Sequence, residues 1–167
     1  PVRSALAQLR HDRLVDIVPR RGFFVRPWSA EEARQLFESR ALIEPALARE
    51  AATRRSPEDL GILGRILDEW RTSADSSDRR GLIILDLDFH VAIARASGNA
   101  VLAEIVGALK LRSHHQFQMA AHGPAFISHV AEDHGRIFAA IAAGDGNDAE
   151  SAMRDHIGSV RGQAGTP

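Results

Sequence analysis

The sequence predicts an all-α fold: an antiparallel bundle of six or seven helices, preceded by an incomplete unit of one helix and a β-hairpin. Three observations carry this. Apolar residues recur at helical spacing from Leu36 to Val160. No strand-like pattern appears after residue 27. Capping residues and helix breakers punctuate the chain between the periodic runs. The 167 residues are 44% hydrophobic and 26% charged. That is enough apolar material for a core, and unlike a disordered chain.

Residues 2–11 show a helical pattern, with Val2, Leu6 and Leu9 on one side and Arg3 and Arg10 on another. Leu14-Val15-Asp16-Ile17-Val18 is a β-branched run. Pro19-Arg20-Arg21-Gly22 makes a turn, and Phe23-Phe24-Val25 returns as a second strand. A ten-residue helix and one hairpin cannot build a stable core. Residues 1–27 therefore read as the back half of a small domain whose front half lies outside this chain. Pro27-Trp28 is a hinge, and residues 28–167 form the second domain.

Ser29 and Glu32 form a capping box that starts a helix through about Thr53, with Leu36, Ile43, Leu47 and Ala51 inward. Pro45 should kink or break it. Ser56-Pro57 starts the next helix, with Leu60, Leu63, Leu67 and Trp70 inward. Thr72–Asp78 is polar and reads as a loop or frayed end. A helix over 80–97 ends at Gly98. Asn99 caps the following one, with Leu102, Ile105, Val106 and Leu109 inward. His122-Gly123-Pro124 breaks it. A helix over about 126–143 stops at Gly144, and Asn147 caps the last, to about Val160. Residues 161–167 read as a frayed tail.

The composition also excludes. No apolar run approaches the roughly 20 residues that span a bilayer, and the opening residues contain no signal-peptide core. Cysteine is absent, so disulfides and thiolate metal sites are impossible and a cytoplasmic location is expected. There is no G-x-S-x-G elbow, P-loop or dinucleotide-binding glycine motif. The net charge of −1 hides an asymmetry. Residues 1–28 carry six arginines against two aspartates, net +4, which leaves −5 for the rest. A basic head on an acidic body fits a head that meets polyanions, although a merely solvated tail has the same charge.

The chemistry lies where polar residues interrupt apolar stripes. In the 80–97 helix, Leu82, Phe89, Ile93 and Ala96 face the core, and Asp86 and His90 share that face at i, i+3, i+4, i+7. An unpartnered buried carboxylate is costly. His134 interrupts Val130, Ile137, Phe138 and Ile141, and His156 interrupts Ala149, Ala152, Met153 and Val160. Three neutral histidines and a carboxylate would hold a divalent ion of the Zn, Ni or Mn class and leave a position open. The plainer reading of any one such histidine is a hydrogen-bonded core residue. The plainer reading of the group is a structural metal, and a rival is a metalloenzyme, a hydrolase or isomerase that activates water. His114, His115 and His122 read as bystanders, and His129 with Asp133 as a solvated pair.

The same residues carry a resemblance. Asp86-Leu-Asp-Phe-His90 followed by Ala96-Ser-Gly-Asn99 resembles the D-x-x-F-H…A-S-G-N signature of the FadR-type C-terminal effector (FCD) domain of GntR-family transcription regulators. Glu132-Asp-His134-Gly-Arg and Met153-Arg-Asp-His156 resemble its later motifs, and Leu36-Phe-Glu-Ser-Arg40 through Glu44-Pro45 its first helix. Pro1–Leu6 and Leu14–Val25 resemble the end of the recognition helix and the wing of the family's winged helix-turn-helix. The resemblance implies a homodimeric repressor or activator of operator DNA, not an enzyme. It implies a small organic acid effector, and metal ligands at Asp86, His90, His134 and His156. Arg40 would meet the effector carboxylate, or else pair with Glu44 one turn on. Arg3 would approach the major groove, with Arg21 and Gly22 at the wing contact. Generic phosphate attraction of the basic head would account for those arginines equally.

Overall fold

A computed structural model describes residues 1–12, 14–27, 29–73, 79–119 and 123–164, without the side chains of residues 79, 114–119 and 163–164. Among them are seven helices: α1 Val2–His11, α2 Ala30–Arg54, α3 Pro57–Ser73, α4 Arg79–Ala96, α5 Ala100–Met119, α6 Pro124–Ala143 and α7 Gly146–Ala164. Two antiparallel strands, β1 Val15–Val18 and β2 Gly22–Val25, form the hairpin, with Val15 opposite Val25 and Val18 opposite Gly22. The all-α expectation holds.

Local chemistry sets most of the helix starts. Ser29 Oγ accepts from the Glu32 amide at 3.1 Å and Glu32 Oε2 accepts from the Ser29 amide at 3.0 Å, so the capping box closes. Arg26 clamps the hairpin's exit to the same Glu32, Nη2 to Oε1 at 2.5 Å. Ser56 and Asp59 cap α3 in the same reciprocal way. Asn99 Oδ1 accepts from the Leu102 amide at 3.0 Å and opens α5. Gly98 and Gly144 both adopt φ +77°, the left-handed conformation that ends a helix without a Cβ penalty. At Gly144 the space is also tight. Arg55 lies across it, 3.0 Å from where a Cβ would stand, and donates to the carbonyls of Ala52 and Ala142. That clamp joins the ends of α2 and α6.

α2 is the central helix. It packs most extensively on α7 and also touches α4, α5 and α6. Ala48, Ala51 and Ala52 of α2 and Ala149 and Ala152 of α7 are buried, and their small side chains let the two backbones come close. The main core includes Phe37, Leu63, Leu67, Trp70, Phe89, Ile93, Val130, Ile137, Ile141, Met153 and Ile157. A smaller cluster of Leu47, Ala94, Ala103 and Val106 joins α2, α4 and α5. By contrast, α1 buries no residue, and its contacts are with β1.

Several sequence expectations need correction. α2 runs unbroken through Pro45. A proline removes one backbone hydrogen bond, but here it is buried in the helix that every bundle helix except α3 packs against, and tertiary packing outweighs the local loss. Asp145, not Asn147, caps α7: its Oδ1 accepts from the amides of Asn147 and Asp148, each at 3.0 Å. Either residue type can cap, and the left-handed Gly144 places Asp145 at the break. α7 continues to Ala164, past the expected end at Val160. Thr72 and Ser73 belong to α3; residues 74–78, Trp28, His122 and 165–167 lie outside the described residues. On α5 the buried face is Ala103, Val106, Lys110 and Ser113, while Ile105 is 40% exposed. Val106 is inward as expected, and Lys110 stands on the buried face with it.

Candidate metal and effector site

α4, α6 and α7 meet on the four residues that interrupt their stripes. Asp86 and His90 of α4, His134 of α6 and His156 of α7 are all buried, and one ligand atom from each lies within 4.8 Å of the others. Bonds of about 2.1 Å to an ion would place two ligands at most ~4.2 Å apart, so the cluster is close to the span of a single ion. Asp86 Oδ1 is 3.6 Å from His90 Nε2 and 3.5 Å from His134 Nε2. The three imidazoles face one another with ring centroids 4.8 to 5.5 Å apart.

Each histidine is held from behind by a different device. His134 stacks on Phe89 at 4.2 Å and meets the edge of Trp70 at 5.2 Å. His156 Nδ1 lies 3.2 Å from Asp133 Oδ2, which also accepts from Ser159 Oγ at 3.2 Å; Arg136 donates to Oδ1 at 2.5 Å. Such a carboxylate fixes the ring so that Nε2 is the free ligand. His90 Nδ1 is 2.5 Å from Glu44 Oε2, off the line of a hydrogen bond, and Arg40 in turn donates from Nε to Glu44 Oε1 at 2.6 Å. Both nitrogens of His90 and both of His134 are buried without a hydrogen-bond partner. Orphaned imidazole nitrogens converging on a carboxylate oxygen suit a divalent cation, and the donor set of nitrogen and oxygen suits a borderline one.

Charge is balanced around the cluster. Burial alone would push the carboxyls of Asp86, Glu44 and Asp133 up, but their partners outweigh it: Lys110, His134 and His90 for Asp86, Arg40 and His90 for Glu44, and His156 and Arg136 for Asp133. All three stay ionised. Burial pushes His134 down to about 4 and His156 down to about 3, so both are neutral and ligand-competent at pH 7. A pH dependence follows. In the unfolded chain these histidines titrate near 6.5, so between pH 6.5 and about 4 the unfolded state binds more protons, and stability falls as pH drops. The melting temperature of the metal-free protein is expected to decline steadily from pH 7 to pH 5. A flat profile in differential scanning calorimetry would contradict the buried neutral assignment.

Of the other expected site residues, Arg40 is buried at 2% exposure and gives Nε and Nη2 to Glu44. The ion-pair alternative is therefore realised in this state. Arg3, Arg21 and Gly22 are exposed on α1 and the hairpin turn, with Gly22 at φ +111°. His129 is 41% exposed, but Asp133 is not part of a solvated pair; it is buried behind His156. The side chains of His114 and His115 lie outside the described residues. Sequence reasoning missed Lys110, Asp133 and Trp70 as neighbours of the site. Spacing carried a signal for two of them: Val130, Asp133 and Ile137 form one stripe, and Ala103, Val106 and Lys110 another.

Comparison with known proteins places this geometry. Residues 35–159 match the family model of the FCD domain. The chain is 31% identical to the HTH-type transcriptional regulator LutR of Bacillus subtilis, over 95% of this chain and 81% of that protein. It is 28% identical to the galactonate operon transcriptional repressor of Escherichia coli, over 95% and 77%. A solved GntR transcriptional regulator from Rhodococcus sp. RHA1 superposes with a TM-score of 0.83 at 25% identity, covering 98% of this chain and 78% of that one. These relatives are regulators and not enzymes, which removes the metalloenzyme alternative. The matched domain spans all four clustered residues, and the chain belongs to the FCD-domain family of GntR-type transcription regulators.

Proposed function

We propose that this chain is a ligand-responsive, cytoplasmic, DNA-binding regulator whose helical domain holds a divalent ion at Asp86, His90, His134 and His156 and senses a small carboxylic acid there. The observation that carries it is the convergence of four buried donor residues, with Nε2 of His90 and Nε2 of His134 both turned to Asp86 and neither in a hydrogen bond. A bound ion of the Zn, Ni or Mn class would supply Lewis acidity to anchor an acid's oxygen. The protein supplies the rest. Asp133 and Glu44 orient His156 and His90, and Phe89 and Trp70 fix the plane of His134. Arg40 is the guanidinium for the acid, through Nη1, the donor that its pair with Glu44 does not use. A relative that represses a galactonate operon supports an acid as the signal.

Residues 1–27 act as the DNA-facing part and residues 28–167 as the sensing part. Arg3 approaches the major groove, and Arg21 with Gly22 the backbone at the wing. α2 links the two: Arg26 grips Glu32 at its start, and Arg40 lies eight residues on, roughly 12 Å along the axis. The working unit is a homodimer, for which the exposed Leu42, Val101 and Ile105 of α2 and α5 offer apolar surface. An acid that binds the two arrangements of the dimer unequally shifts the spacing of its two heads.

The test is selection of operator sites from random duplexes by the full-length protein, followed by titration of carboxylic acids with and without metal. The expected result is one sequence-specific site, with affinity changed by an acid only when metal is present. Binding without sequence preference would overturn the regulator reading. Sequence-specific binding that no acid alters would reduce the ion to a structural brace.

A further inference from the structure

Asp86 divides its two oxygens between different partners. Oδ1 faces His90 and His134 at 3.6 and 3.5 Å, while Oδ2 is in contact with Lys110 Nζ. Lys110 is 3% exposed and stands on α5, a helix that contributes none of the four clustered residues. A lysine is seldom buried without a reason in charge. Here the inventory is closed: Lys110 neutralises Asp86, Arg40 neutralises Glu44, and Arg136 pairs with Asp133. Each buried carboxylate here has its own cationic partner without any ion.

We propose that Lys110 is the site's resident counter-cation: it holds Asp86 neutralised in the metal-free protein and, by repelling an incoming divalent ion, sets how weakly that ion is held. This rests on the metal reading above. The carboxylate that would bind the ion already carries an ammonium on its other oxygen, so part of its negative charge is committed. A buried positive charge beside the ion opposes it with little screening. Because Asp86 is paired before the ion arrives, the metal-free bundle stays folded, unlike small domains whose folding requires metal. The result is a reversible site, one that fills and empties around a folded protein.

The experiment compares wild type, Lys110→Met and Lys110→Arg by chelator-competition titration with Zn²⁺ alone, and by the melting shift that Zn²⁺ induces. Lys110→Met keeps an unbranched chain and removes the charge. It is expected to bind Zn²⁺ at least tenfold tighter than wild type and to show the larger melting shift. Lys110→Arg keeps the charge and is expected to stay within about threefold of wild type. If Lys110→Met requires the ion to fold, competition against the Zn²⁺-loaded variant still yields its affinity. A merely structural lysine would weaken binding when replaced, so equal or weaker affinity in Lys110→Met overturns the proposal while leaving the metal reading in place. Absence of Zn²⁺ binding in wild type and both variants overturns the metal reading itself.

Discussion

Replacing His134 by alanine is expected to lower affinity for a divalent ion by at least a hundredfold and to destabilise the metal-free fold by roughly 2–4 kcal/mol. The two losses have separate causes. His134 contributes one of four converging ligands, with Nε2 3.5 Å from Asp86 Oδ1, and even residues that only orient a ligand cost about 10–100-fold when removed. The same ring fills the space between Phe89, stacked at 4.2 Å, and Trp70, edge-on at 5.2 Å. Truncating a large buried side chain leaves a cavity in that layer. Metal titration and urea denaturation read the two effects separately. If ion affinity and stability were both unchanged, His134 would be neither ligand nor packing element.

Arg40→Met is expected to cost about 3–5 kcal/mol of stability. The guanidinium and Glu44 are each 2% exposed and meet through Nε–Oε1 at 2.6 Å. Removing one member of a buried ion pair strands the other charge. Glu44 would then keep His90 as its one remaining close partner, with Nδ1 2.5 Å from Oε2. Replacing both residues, Arg40→Met with Glu44→Met, is expected to recover much of the loss, because a well-packed apolar pair avoids the desolvation cost of two buried charges. Denaturant midpoints for the two single variants and the double variant complete the cycle. A single-variant loss under 1 kcal/mol would mean that water reaches this pair.

The legible part of the site was the part that violates a local pattern. Asp86, His90, His134 and His156 each sit where helical spacing calls for an apolar residue, and one period of 3.6 suffices to see it. That they converge is visible only in the fold, since α4, α6 and α7 are far apart in sequence. Asp133 reads from the sequence as solvated, paired with His129, and Lys110 draws no notice there, because charged residues are usually on the surface. Their spacing puts them on apolar stripes, but the partners that make their burial tolerable, Asp86 and His156, are 24 and 23 residues away, and those pairings leave no local mark. Ile105 differs too: it is 40% exposed, while Lys110 is buried on the inward face of α5. Pro45 shows the opposite failure. A strong local breaker yielded to the packing of α2 against four other helices. The capping residues were read well where one candidate stood at the break, as at Ser29 and Asn99, and less well where Asp145 and Asn147 competed.

Asp86, His90, His134 and His156, one ligand atom from each within 4.8 Å of the others, are expected to hold one divalent ion together. Native mass spectrometry of the purified protein, with Zn²⁺ added and then removed by chelation, tests it directly. The account predicts one ion per chain in wild type, released by the chelator without unfolding, and none retained by His134→Ala. Equal ion retention by wild type and His134→Ala, or none by a folded wild type, would contradict it.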